Sequence, residues 1–131
     1  MSDPLRIRAA AVEITPAAPA PLFGYRGRPP AYDAVRDPLE LNGILLRQGR
    51  KAVLLLAADL LYVGGDLEAL AREEVARRMP DADCAVVFGA SHTHYAPAVD
   101  ATKPLLGTAD PRYVEMVRER AVLVASLSAV T

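Results

Sequence analysis

The stretch Lys51-Ala52-Val53-Leu54-Leu55-Leu56-Ala57-Ala58 decides the fold. After its lysine the run is apolar at every position. Such a strand predicts cover on both faces, as in an α/β sheet. Just before it, Gln48-Gly49-Arg50 supplies a short turn, with glycine where a left-handed residue is needed. Residues 39–47 read as the preceding strand, so the two form a β-hairpin. Just after it, Asp59 closes the strand and Gly64-Gly65 breaks the chain. Asp66 is the expected cap of a helix over residues 67–79. Leu67, Leu70, Ala71, Val75 and Met79 fall on one stripe of that helix. Glu68 with Arg72, and Glu73 with Arg77, pair at i,i+4 on the wet side. Pro80 stops the helix, residues 81–83 turn, and residues 84–90 form a fourth, wholly apolar strand. Strand, helix, strand in this order is a βαβ unit, which predicts parallel third and fourth strands.

Further out, residues 5–15 read as a first strand ending at Pro16. Residues 16–37 and 91–109 are long irregular stretches, and loops of this length within a compact domain are often functional. Asp110-Pro111 starts a last helix, with proline at the first helical position. Its expected inner face is Val114, Val117, Ala121, Val124 and Ser128. After Arg120 the chain has no charged side chain. A helix apolar all round predicts cover from elsewhere, either from a longer chain or from another copy in a homo-oligomer formed through this helix. The expected fold is α/β: a mixed sheet with a β-hairpin and a βαβ unit, helices packed on the sheet. Residues 1–131 are expected to be one partial domain, a fragment of a larger catalytic domain.

The chain has 131 residues, enough for a single domain, and 52% of them are apolar, which predicts a real core. A net charge of −1 gives no general attraction to nucleic acid or acidic membranes. Cys84 is the only cysteine, so no intrachain disulfide forms. The amino terminus shows no basic start followed by an apolar run, and no apolar stretch reaches membrane-span length. The expectation is a soluble, cytoplasmic protein.

In an open α/β sheet, ligands bind beyond the carboxyl ends of the parallel strands. Asp59 follows one of those strands and Ser91-His92-Thr93-His94-Tyr95-Ala96-Pro97 the other. His92 and His94 are the chain's two histidines. In extended backbone an H-x-H pair points both rings to one side, about 6–7 Å apart. Two such imidazoles can share one metal, or one can hold metal while the other handles protons. Imidazole suits zinc, whose catalytic sites use three protein ligands and keep one position for water. The remaining ligands must come from carboxylates, a partner or further sequence. The plainer alternative is a pair of exposed loop histidines. Asp59 has one too, an Asx-type bond to its own loop. Cys84 reads as a small buried apolar residue. The chain has no P-loop, no GxGxxG and no nucleophile elbow.

Ser91-His92-Thr93-His94-Tyr95-Ala96-Pro97 resembles the Ser/Ala-Thr-His-Thr-His-Ser-Gly-Pro signature of neutral, non-lysosomal ceramidases, with Tyr95-Ala96 in place of Ser-Gly. Other segments resemble that family in the same order. These are Glu13-Ile14-Thr15-Pro16, Phe23-Gly24-Tyr25, Asp37-Pro38-Leu39 with Leu45-Leu46, and Ala57-Ala58-Asp59-Leu60. The likeness spans about residues 9–121. It implies a zinc-dependent amidohydrolase that cleaves an N-acyl, ceramide-like amide with metal-activated water. On that likeness His92 is a zinc ligand, and His94 polarises the amide or handles protons. Asp59 joins His94 as a catalytic candidate. The family's other zinc ligands, a second His, a Glu and a Tyr, lie beyond this length. The isolated chain is therefore expected to show little or no turnover. A binding module or inactive remnant with the same fold is the alternative.

Overall fold

Side-chain burial along the strands alternates with period two, and this alternation sets the architecture. The computed structural model describes residues 1–28 and 32–129. Its strands are β1 (Arg6–Glu13), β2 (Glu40–Gln48), β3 (Lys51–Ala58) and β4 (Asp83–Ala90), with helix α1 (Gly65–Arg78) between β3 and β4 and helix α2 (Pro111–Ala125) after β4. They form one sheet in the order β1-β2-β3-β4. β1 and β2 are antiparallel, with Glu13 opposite Glu40. β2 and β3 form the hairpin, closing at Gln48 and Lys51 with Gly49 at φ 58°. β3 and β4 are parallel and in step, Ala58 beside Ala90. The mixed α/β architecture expected from the sequence is therefore present. Strand ends differ from expectation by a residue or two, because pairing continues irregularly past β1. There the Ile14 amide donates to the Leu39 carbonyl at 2.7 Å, and the Leu39 amide to Thr15 Oγ1 at 2.9 Å.

One face of the sheet carries Leu41, Leu45, Leu54, Leu56 and Val86, all buried against Leu67, Ala71 and Val75 of α1 and Val117, Ala121 and Val124 of α2. Each fully buried Leu or Val contributes about 1.5–3 kcal/mol. Gly43 lets α2 approach closely: a Cβ there would stand 2.4 Å from Val124 Cγ1. Cover on both faces was the expectation, and it is met on one only. α1 and α2 pack on each other over the same face. The opposite face leaves Ile7 (62%), Ile44 (42%), Leu55 (39%) and Val87 (55%) exposed.

Local details correct several expectations. α1 is N-capped by Gly64 with no side-chain cap bond, rather than by Asp66. Asp66 falls in the first turn, where its charge favours the positive end of the helix dipole. Glu68 pairs with Arg72 as expected, at 2.7 Å. Arg77 turns from Glu73 to Glu74, which is buried and also binds Arg78. A carboxylate taken out of water needs partners, and two guanidiniums supply them. Burial pushes the Glu74 pKa up, but the Arg78 and Arg77 bonds outweigh it and hold the group below its usual range. Asp110 caps α2, accepting from the Arg112 amide at 2.9 Å, with Pro111 next. The inner face of α2 runs through Tyr113, Val117, Ala121, Val124 and Ala125. Val114 is only half-buried, and the side chain of Ser128 lies outside the described residues. α1 and the sheet cover this inner face, while Leu123 on the outer side of α2 stays 52% exposed. Cys84 is a free thiol whose pKa burial pushes up, in keeping with an apolar role.

Candidate functional site

Past the carboxyl ends of β3 and β4, the two long irregular stretches zip onto each other. Leu22 bridges Pro97, the Phe23 amide donates to the Ala96 carbonyl at 2.9 Å, and the Gly24 amide donates to the Leu106 carbonyl at 2.8 Å. Buried Phe23, Leu61 and Ala98 form a small second core beneath them. These bonds carry Gly24-Tyr25 onto the histidine segment, from some seventy residues away in sequence.

The histidine segment is not extended as the sequence led us to expect. His92 has φ 62°, a left-handed conformation uncommon outside glycine. The kink breaks the period-two rule yet keeps the rings together: their centroids lie 5.2 Å apart with planes at 83°. His92 Nδ1 is 3.0 Å from the Leu61 carbonyl. A carbonyl only accepts, so Nδ1 carries the proton and Nε2 keeps its lone pair. This is how a metal-binding histidine is held: a backbone carbonyl fixes the tautomer and frees the other nitrogen.

His94 is held by packing. Tyr25 stacks on its ring at 4.4 Å. Gly24 leaves room for the ring, since a Cβ there would sit 2.3 Å from His94 Nδ1. Nδ1 is buried with no hydrogen-bond partner. An orphaned buried N–H is rarer than an under-satisfied acceptor, so the favoured tautomer puts the proton on Nε2. Arg28 donates to the His94 main-chain carbonyl. Its guanidinium lies over the rings of Tyr25, at 4.8 Å, and Tyr95, at 5.3 Å.

Tyr62 completes the corner, edge-on to His92 at 5.4 Å and to Phe23 at 6.3 Å. Lys103 Nζ sits 4.9 Å over the Tyr62 ring and is tied to Asp100 at 2.6 Å. Lys103 and then Thr102, bonded to the Asp100 carboxylate, depress its pKa to about 2. Sequence spacing singled out neither Tyr62, Arg28 nor the Leu61 carbonyl, because each meets its histidine only through tertiary contact.

Asp59 sits nearby in a different setting. Its Oδ2 accepts from the Glu40 amide at 3.0 Å, tying the carboxylate to the start of β2. It lines a groove of about 760 Å³ with Thr15, Tyr32, Thr93, Tyr95 and Pro97, a groove the imidazoles themselves do not line. Among the described residues no three His, Cys, Asp or Glu side chains come together as a metal site. His92 fits a metal by its free Nε2, but further ligands must come from elsewhere. Behind the groove, the Tyr113 hydroxyl is buried without a partner. Burial first, then the neighbouring Tyr32 and Asp59, push its pKa up.

No family model matches this sequence, and no curated protein does. Solved structures match its fold. A neutral ceramidase from Pseudomonas aeruginosa superposes with TM-score 0.77 and 14% identity, over 96% of this chain and 21% of that one. A ceramidase complexed with C2 superposes with TM-score 0.66 and 16% identity, over 93% of this chain and 20% of that one. The chain thus spans about a fifth of the length of these relatives. The four-stranded sheet and its two helices adopt a neutral ceramidase-related fold.

Proposed function

We propose that this chain carries one corner of a zinc-dependent amidohydrolase site of neutral ceramidase type, acting on an N-acyl, ceramide-like amide with water as nucleophile. The observation that carries the reading is the bond from His92 Nδ1 to the Leu61 carbonyl, which leaves Nε2 open to a cation. When bound, zinc supplies Lewis acidity toward the amide carbonyl and activates water. The chain's own residues do the rest. His92 contributes an oriented nitrogen, Nε2. His94 presents an Nε2–H donor, held by Tyr25 and Gly24, to the oxygen on which charge develops. Asp59, with Oδ2 tied, keeps Oδ1 for proton handling. The groove beside it, walled by Leu22, Val35 and Pro97 as well as by Asp59, suits an apolar chain attached to a polar amide.

A second reading, a binding module or inactive remnant on the same fold, is favoured because no cluster of three metal-ligating side chains forms among the described residues. Zinc calorimetry on the chain and on His92→Ala separates the readings. We expect one-to-one binding that weakens about tenfold or more without His92. Equal, weak binding by both proteins would overturn the metal assignment. A fluorogenic N-acyl substrate then divides enzyme from remnant, with little or no turnover expected from this chain alone.

A further inference from the structure

The end of the sheet opposite the histidines gathers arginines without enough acid to balance them. Arg6 and Arg47 are direct cross-strand neighbours on β1 and β2, a position where like charges repel. Arg8 lies two residues further along the same face and is half-buried. The three line a recess of about 250 Å³ together with Asp3, Leu45 and Gly49. Asp3 is its only acid. The Asp3 carbonyl accepts from Gln48 Nε2 at 2.8 Å, and its carboxylate lies over Gly49, where a Cβ would stand 2.6 Å from Oδ2. Arg47 donates from Nε to the Gly49 carbonyl at 3.0 Å, and one of its terminal nitrogens meets Met79 Sδ at 3.5 Å. Among the described residues the side chains of Arg6 and Arg8 have no hydrogen-bond or ion-pair partner.

A guanidinium held partly out of water normally finds a carboxylate or another acceptor. Here the half-buried Arg8 keeps all its side-chain donors, the half-buried Arg47 keeps part of its fork, and the exposed Arg6 stands beside them. They surround a space large enough for a tetrahedral anion. Three positive groups against one negative group leave an excess suited to a dianion. Guanidinium forks match such oxygens two at a time, in short, charge-assisted hydrogen bonds. An entering anion also relieves the Arg6–Arg47 repulsion. We propose that this recess is a binding site for a phosphate- or sulfate-type oxyanion, either free or carried on a lipid headgroup. It is independent of the histidine corner, which lies past the other ends of β3 and β4.

The test titrates the chain with inorganic phosphate against sodium chloride at constant ionic strength, following the arginine side-chain N–H signals and the melting temperature. We expect saturable one-to-one shifts in Arg6, Arg8 and Arg47 and a melting temperature above that in chloride. Arg8→Gln and Arg47→Gln should each weaken binding about tenfold. Arg8→Lys, which keeps the charge and loses the fork, should fall between. Arg120→Gln, outside the recess, should change nothing. A second arm uses sedimentation with phosphatidylcholine vesicles, with and without phosphatidic acid. Capture by the acidic vesicles that free phosphate competes away assigns the headgroup source. Phosphate binding without capture assigns the free anion. A response no greater than chloride's, or one unchanged in Arg8→Gln, would overturn the site. Should Arg8→Gln not fold, the wild-type melting shift at matched ionic strength decides alone.

Discussion

Replacing Gly24 with alanine tests whether packing, rather than hydrogen bonding, sets the histidine corner. Gly24 has φ 117°, where an L side chain is strained. Holding alanine there costs about 1–3 kcal/mol. The new methyl would stand 2.3 Å from His94 Nδ1 and 3.0 Å from Cγ and Cε1 of the same ring. Contacts this close do not persist, and overpacking costs about 1–3 kcal/mol more if the neighbours stay put. The ring is the softer side, because its Nδ1 has no hydrogen bond to break. We therefore expect the ring to move and Tyr25 to lose its stacking, with a net destabilisation of about 2–4 kcal/mol. Urea unfolding monitored by circular dichroism reads the stability. Long-range proton–nitrogen NMR of the imidazoles reads the geometry. In wild type we expect His94 as the Nε2–H tautomer and His92 as the Nδ1–H tautomer. In Gly24→Ala the His94 signals should shift while His92, bonded to the Leu61 carbonyl, stays as it was. A variant within about 0.5 kcal/mol of wild type and with unchanged His94 signals would refute the reasoning, because at that size a surface substitution explains it.

Three further outcomes follow from the same geometry. Tyr113 is buried with an unpaired hydroxyl and a raised pKa, so its contribution is intact below the ordinary tyrosine value of 10.0 and is lost as pH climbs above it. Tyr113→Phe should be neutral or stabilising by about 1 kcal/mol at pH 7 and should flatten the alkaline loss, read by melting temperatures from pH 7 to 11. Asp100 titrates near 2 instead of 3.8, so its stabilisation holds above about pH 4 and disappears as pH falls toward 2. Asp100→Asn should cost on the order of 1–2 kcal/mol at neutral pH, loosen Lys103 over Tyr62, and leave a shallower acid limb in the same melts. Val87→Glu, on the uncovered face, should cost under about 1 kcal/mol in unfolding, because the side chain is already exposed.

Local signals were sufficient for much of this molecule. The apolar run after Lys51 announced a central strand, and Gly49 marked its hairpin turn. The Gly64-Gly65 break, the stripe through Leu67, Ala71 and Val75, and Pro80 framed a helix. Those elements in that order required a parallel β3–β4 pair, and that pair placed His92 and Asp59 at one end of the sheet. Each of these inferences rests on periodicity, turn chemistry or connection rules, which act over a few residues and are written directly in the chain.

What only the tertiary structure decided depended on contacts between distant segments. Periodicity could not say that α1 and α2 share one face and leave Ile44, Leu55 and Val87 in the open, because an apolar strand looks the same whether one or both sides are covered. Spacing could not reveal that Glu74, not Glu73, takes Arg77, because burial of the carboxylate sets that choice. The left-handed turn at His92, its tie to the Leu61 carbonyl, the space under Gly24 for His94, and the arginines brought together from β1 and β2 arise only when loops and strands meet. The sequence by itself determined which elements form and in what order, since their causes are local. Folding in three dimensions determined which nitrogen is free, which charge is unpaired and which face is bare, since those are properties of neighbours far apart along the chain.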